Sequence, residues 1–173
     1  MSNKSISFQN IFANQKIAIF IGSLDKIFFK LPHLPKKIRL FINKVVPYLS
    51  LIIGVLGLIL SLLAGFFLVV TIITWNLQAI LISVLSFLLI LLNTIFYLKA
   101  FKPLKNNNAI GWIYLFWAQI SEILNLGMRI WNREDNILLG LIIILLNFYL
   151  LFEIGQFYVY KNSKTEQKNI NNY

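Results

Sequence analysis

The sequence predicts an all-α integral membrane protein, a four-helix bundle preceded by an amphipathic N-terminal helical segment. The first reason is that the 54 residues from 45 to 98 contain no Asp, Glu, Lys, Arg or His. One bilayer-spanning helix takes about 20 apolar residues, so this run predicts two spans joined by a turn. The second reason is composition, because the chain is 58% hydrophobic and 13% charged, whereas about 25% of the residues of soluble domains are charged.

Apolar runs and polar breaks together predict four spans. Their expected bounds are residues 47–70, 77–98, 109–130 and 137–160. With the turns between them they form a transmembrane domain, residues 45–160. Residues 161–173 are rich in Asn and Lys, a composition that buries little apolar surface, so we predict a disordered polar tail.

Residues 1–44 are predicted to form a basic amphipathic segment at the membrane interface. Phe20, Leu24 and Phe28 recur at helical spacing, and Pro32 and Pro35 end this helix. A second short helix then precedes the first span, and a basic amphipathic helix in such a position is expected to lie in the interface plane. The residues expected to contact anionic lipid headgroups are Lys30, Lys36, Lys37, Arg39 and Lys44. The alternative is that both helices pack on the cytoplasmic end of the bundle.

The distribution of basic residues predicts the orientation of the chain. Residues 1–44 carry eight Lys or Arg, and residues 99–108 and 161–173 carry three each, whereas the turn at 71–76 carries none. Lys and Arg are in excess in the cytoplasmic loops of membrane proteins. We therefore expect a multi-pass protein of the bacterial cytoplasmic membrane, with both termini and the middle loop in the cytoplasm.

A stripe of small residues lies on one face of the first span. Its members are Ser50, Gly54, Gly57, Ser61 and Gly65. They advance by three or four residues, and such small faces let two helix backbones approach closely in lipid. We favour a helix–helix contact within one bundle, and a homodimer face or a pore lining remains the alternative.

The third span carries an unusual polar face. Its members are Gln119, Glu122, Asn125 and Arg129. A charge at the centre of a span costs about 2.5–3.5 kcal/mol on insertion scales, so Glu122 should face the bundle, where desolvation favours its neutral form. We expect Gln119, Glu122 and Asn125 to hydrogen-bond to Asn147 of the fourth span. The alternative is an ion or proton path through Glu122 and Glu153.

Catalytic chemistry is scarce in this sequence. The chain contains no cysteine and one histidine, His33, which lies between two prolines and is predicted to be a loop residue. Most nucleophile–base pairs and most zinc sites are therefore excluded, and no phosphate-binding glycine loop or nucleic-acid module is present. We expect no enzyme activity, cofactor, metal or nucleic-acid partner.

Two function hypotheses follow from these observations. The first is a non-enzymatic membrane-organising or complex-associated protein, whose partners are the lipid bilayer and its anionic headgroups. The second is a small ion or solute transporter or channel subunit that uses Glu122. Assembly as a homo-oligomer or within a membrane complex is open under both hypotheses.

Several short motifs are familiar. They are LPHLPKKIR at residues 31–39, VPYL at 46–49, GWIYLF at 111–116 and YLLFEI at 149–154. In these stretches the chain resembles a group of small four-span bacterial membrane proteins of unknown function, some of them loosely labelled chromate transporter. The resemblance covers about residues 31–160. Chromate transporters have a longer domain with a proline-rich signature that this chain lacks, so the resemblance implies no chromate transport and no functional residues.

Overall fold

A computed structural model describes residues 15–28, 30–73, 76–131 and 137–170. Its description of side chains leaves out residues 15, 16, 18, 129, 131, 156 and 159–170. Every regular element in the described ranges is a helix. The five helices are α1 (Gln15–Phe28), α2 (Lys36–Ile73), α3 (Leu77–Lys105), α4 (Ala109–Trp131) and α5 (Ile137–Ile170). The all-α prediction is therefore confirmed.

Three helices are long and apolar enough to cross a membrane, namely Lys36–Ile73, Leu77–Lys105 and the Ile137–Gly155 part of α5. The third predicted span does form a helix, α4, but α4 is not among these three. Polar residues of its second half, such as Gln119, Glu122 and Asn125, interrupt the apolar run of α4. A bundle of four membrane-crossing helices is therefore a prediction that the fold supports only in part.

Helix α2 joins two elements that the sequence analysis treats as separate. No break separates residues 36–44 from the first span, because α2 runs unbroken from Lys36 to Ile73 with Pro47 inside it. The boundary predicted at residue 44 therefore falls inside a continuous helix. An internal proline costs a helix one backbone hydrogen bond, but Pro47 is buried and the neighbouring apolar face continues across it.

The helices pack in chain order, α2 on α3, α3 on α4 and α4 on α5. The turn between α3 and α4 holds only residues 106–108, so Lys99, Lys102 and Lys105 lie on α3 and not in a loop. Cations in the last turns favour a helix C-terminus. Asn107 takes a left-handed conformation with φ 52°, which asparagine tolerates, and this makes the short turn possible.

The buried core is richest where α4 and α5 meet. Trp112 of α4 is fully buried and donates its indole N–H to the Leu151 carbonyl oxygen at 2.8 Å. Phe116 lies beside it with ring centroids 5.7 Å apart, and the Phe152 ring meets Trp112 edge-on at 5.8 Å. These contacts hold the first half of α4 firmly against α5.

Helix α1 packs on this core. Ile21 is fully buried, and Phe28 stacks on Phe152 with ring centroids 4.9 Å apart. Ile19, Phe20 and Ile27 remain more than half exposed. Leu24 and Phe28 of the predicted stripe therefore pack on the bundle, as the alternative interpretation expects, whereas Phe20 of the same stripe points away from it. Residues 1–14 of the predicted interfacial segment lie outside the described residues.

The C-terminal tail differs from its prediction. Helix α5 continues as far as Ile170, so residues 161–170 are helical in the structure, where the sequence analysis expects a disordered tail. These ten residues include Lys, Glu and Gln and no Gly or Pro, and residues of that kind lose little conformational freedom in a helix. They can extend a helix that the core has already nucleated.

Candidate functional site

Glu122 is held in the interface between α3 and α4. Asn93 of α3 donates a hydrogen bond from Nδ2 to Glu122 Oε1. One turn further along α3, the Tyr97 hydroxyl accepts a hydrogen bond from Gln119 Nε2 at 3.0 Å. We call these four residues the Glu122 cluster. Their spacings, four on α3 and three on α4, put both bonds on facing helix surfaces.

The recorded partners of Gln119 and Glu122 lie on α3, whereas the sequence analysis expects Asn147 of the fourth span as their partner. Gln119 and Glu122 bond to α3, the helix packed along the polar face of α4. Asn147 of α5 lies instead in the wall of a groove that Gln119 also lines. Asn125 is half-buried, one turn beyond Glu122. The backbone of Arg129 lies in the last turns of α4, and its side chain is outside the described part of the chain.

Glu153 belongs to a second cluster, at the other side of the bundle core. Its side chain is 3% exposed. His33 Nδ1 lies 2.6 Å from Glu153 Oε1, and Arg39 Nε lies 3.6 Å from Oε2. A buried carboxylate needs such partners to offset its desolvation. Glu153 therefore does not join the Glu122 cluster but fastens the segment before α2 to α5.

Sequence reasoning missed the role of His33. The histidine lies between helices, as predicted, but it is 120 residues away from its partner Glu153, and no local spacing connects the two. A nearby contact strengthens the same junction, because the Tyr149 hydroxyl donates a hydrogen bond to the Pro32 carbonyl at 2.6 Å. A carboxylate in an apolar span is the one signal that such a partner was needed.

Asp25 of α1 lies close to this second cluster. Burial raises the pKa of the Asp25 carboxyl above its ordinary value of 3.8, and the charge of His33 lowers it by a smaller amount. Desolvation penalises the charged form of an acid. The ionised carboxylate of Asp25 is therefore less favourable here than in water.

The small residues of α2 face α3. A Cβ atom on Gly54 would lie 2.6 Å from a Leu98 methyl carbon, and one on Gly57 would collide with the Thr94 hydroxyl. Gly65 faces Phe87, where a Cβ would have room at 3.4 Å. The two serines of the stripe, Ser50 and Ser61, are buried and bond to carbonyls of their own helix. Within this chain the stripe is thus a contact between two helices.

One end of the molecule is strongly basic. The start of α2 and the end of α3 meet there, since Tyr48 and Phe101 have ring centroids 6.2 Å apart and Asn43 Nδ2 lies 3.5 Å from Asn107 Oδ1. The exposed lysines of this end, called the basic end, are Lys26, Lys30, Lys36, Lys37, Lys44, Lys99, Lys102 and Lys105. Arg39, the other predicted headgroup residue, is partly buried against Glu153.

A groove of about 260 Å³ lies between α2 and α5. Its α2 side runs from Phe41 to Ile53, and its other walls are mostly Leu and Ile side chains. Four polar residues also line it. They are Ser50, Tyr97, Gln119 and Asn147, and we call this space the polar groove. It reaches the Glu122 cluster, because Tyr97 and Gln119 belong to both.

No family model, curated protein or solved structure matches this chain. The resemblance to small four-span bacterial proteins therefore stays a prediction. Among the residues that the structure describes, no group of three His, Cys, Asp or Glu side chains could hold a metal ion.

Proposed function

We propose that this chain is a non-enzymatic, multi-pass protein of the bacterial cytoplasmic membrane that organises lipid, with its basic end holding anionic headgroups on the cytoplasmic side. The observation that carries the proposal is the convergence of eight exposed lysines from α1, the α1–α2 connection, α2 and α3 at one end of the bundle. Each Lys or Arg near an anionic membrane surface contributes about 1 kcal/mol of attraction.

Negative charges near the lysines would weaken their attraction for anionic lipid, but those at the basic end are compensated. The two acidic side chains described near the basic end are Asp25 and Glu153. Glu153 is paired with His33 and Arg39, and burial raises the pKa of Asp25. The positive charges of the surrounding lysines are therefore not cancelled by these two carboxyl groups. Such an excess of positive charge also favours a cytoplasmic location for the basic end.

A lipid-retention experiment tests this function. We expect the purified wild-type chain to retain phosphatidylglycerol over phosphatidylcholine in native mass spectrometry from mixed micelles. Changing Lys36, Lys37 and Lys44 together to Gln should weaken that preference by about tenfold or more, since each charge contributes on the order of 1 kcal/mol. These side chains are exposed, so the fold should survive.

The matched control is the triple change of the same lysines to Arg, which keeps the charge and should keep the preference. Equal retention of both lipids by the wild-type chain would contradict the proposal. So would a Gln triple variant that still prefers the anionic lipid as strongly as the wild-type chain does.

The transporter hypothesis ranks second. Its supporting observation is that Glu122, an ionisable residue inside an apolar bundle, is held by Asn93 beside the polar groove. Against it, the two carboxylates expected to share a path occupy different clusters, and His33 and Arg39 pair with Glu153.

A further inference from the structure

We propose that the polar groove is a water-filled vestibule that gives water and protons access from the basic end to Glu122. The inference goes beyond lipid binding and does not depend on it, because it concerns the inside of the bundle and not the lysines at its end. It assigns to Glu122 the role of a proton acceptor that equilibrates with one side of the membrane.

Polar side chains line part of the groove. Gln119 is 5% exposed, and its Oε1 is buried with no hydrogen-bond partner among the described residues. An unpaired buried acceptor costs about 1–3 kcal/mol. Gln119 shares the groove with Ser50 and Asn147, and a roomy space with several polar groups is the kind that holds ordered water.

Water suits this groove better than a lipid acyl chain does. An acyl chain would suit the Leu and Ile walls, but it can make no hydrogen bond to the polar side chains that line the groove. Water can bond to the Asn147 amide and to the other polar groups of this lining. These polar side chains therefore favour water as the occupant beside them.

The groove extends from the basic end far into the predicted membrane-spanning region. The groove follows α2 from Phe41 to Ile53, and these ends are twelve residue steps apart, about 18 Å along the helix axis. Lys44 is the last cation of α2, and Ile53 lies nine residues further on, roughly 13 Å deeper. Half of a bilayer's hydrocarbon core is about 15 Å thick. The groove thus reaches almost to the middle of the membrane.

Glu122 lies close to Gln119, which lines the groove. Gln119 and Glu122 are three residues apart on α4, about 4.5 Å along the axis. The Tyr97 hydroxyl accepts from Gln119 and keeps its own proton to donate. Gln119 and Tyr97, which line the groove, thus lie about one helical turn from Glu122 and its partner Asn93.

The Asn93 amide is suited to a protonated Glu122. Its Nδ2 donates to Glu122 Oε1, while its Oδ1 is buried with no hydrogen-bond partner in the described part of the chain. A protonated carboxyl group would supply the missing O–H donor and complete a two-bond acid–amide pair. In the transfer itself, a hydronium ion in the vestibule gives one proton to the carboxylate, a new O–H bond forms on Glu122, and water remains.

Cysteine accessibility tests the vestibule directly, because the chain contains no natural cysteine. Asn147→Cys should react with an impermeant cationic methanethiosulfonate, which needs a hydrated thiolate. Leu146→Cys is the matched control, since it lies at the same depth of α5 but is 56% exposed on the outer face of the bundle. We expect the Asn147→Cys reaction to be faster by at least about tenfold, because a thiol in apolar surroundings ionises poorly.

The side of access is tested with the same reagent on inverted membrane vesicles and on spheroplasts. Lys102→Cys marks the basic end, so Asn147→Cys should react only in the preparation that labels Lys102→Cys. Ser50→Cys, on the opposite wall, repeats the measurement if Asn147→Cys does not fold. Reaction no faster than that of Leu146→Cys at both positions, or reaction from both sides, would overturn the proposal, whatever the lipid preference of the basic end.

Discussion

At the scale of single residues, the polar side chains inside this protein are explained by partners that are distant in sequence. Glu153 is tolerated in an apolar helix because His33 and Arg39 reach it from the segment before and at the start of α2. Removing one member of a buried charge pair leaves the other exposed to the full desolvation cost. These residues therefore act as fasteners between α1, α2 and α5.

Asp25 provides a prediction at this scale. Because burial raises the pKa of its carboxyl group, the native state favours the protonated form. In the unfolded chain the Asp25 carboxyl has its ordinary pKa of 3.8. The stability that its protonation contributes is complete below that pH, and it is lost as the pH rises through the higher pKa of the folded state. We expect Asp25→Asn to unfold at higher denaturant than the wild-type chain at pH 7.

The advantage of Asp25→Asn should shrink as the pH falls toward 4, and SDS titrations at several pH values measure it. Lys26→Gln, an exposed neighbour on the same helix, should show no such pH-dependent difference. A wild-type chain that is more stable than Asp25→Asn at neutral pH would mean that attraction to His33 outweighs desolvation.

At the scale of helices, close approach decides which glycines matter. A Cβ atom on Gly111 of α4 would lie 2.6 Å from the backbone nitrogen of Leu104. Leu104 lies near the end of α3, on the other side of the short turn. Backbone cannot move aside as a flexible side chain can. Gly127 of the same helix has open space around it, so the two positions form a natural comparison.

We expect Gly111→Ala to destabilise the protein by about 1–3 kcal/mol, the usual cost of overpacking. Gly127→Ala should be neutral or stabilise it by up to about 1 kcal/mol, because alanine is the better helix former. Unfolding free energies in mixed SDS micelles measure both. Equal stability of the two variants would show that α3 and α4 do not cross as closely as described.

At the scale of the whole molecule, charge is sorted toward one end and polar groups are sorted into separate clusters. The basic end gathers lysines from α1, α2 and α3, while Glu122 and Glu153 have different partners. Access to Glu122 from one side is not a route across the membrane. A single chain of this size also has little room for a pore of its own.

We therefore expect proteoliposomes containing the wild-type chain to dissipate a pH gradient no faster than empty liposomes do. A pH-sensitive dye trapped inside the vesicles measures the rate, and Glu122→Gln should give the same trace. A proton flux through the wild-type chain that disappears in a folded Glu122→Gln variant would favour the transporter hypothesis over lipid organisation.

The sequence by itself determined the helical class and the apolar spans of α2, α3 and α5. These features follow from local composition, since lipid leaves a helix as the way to satisfy the backbone. It also drew attention to two unusual features, the small stripe of α2 and the polar face of α4. What it could not supply was their partners. By depth in the membrane Asn147 of α5 is the expected partner of Glu122, but α4 packs against both α3 and α5, and it turns its polar face toward α3.

Only the tertiary structure decided the rest. It joined residues 36–44 to the first span, turned α1 onto α5, brought His33 and Arg39 to Glu153, and opened the polar groove between α2 and α5. All of these depend on which helix faces lie together across many residues of chain. Such contacts are settled by packing and by the cost of unpaired polar groups, and no local pattern in the sequence encodes them.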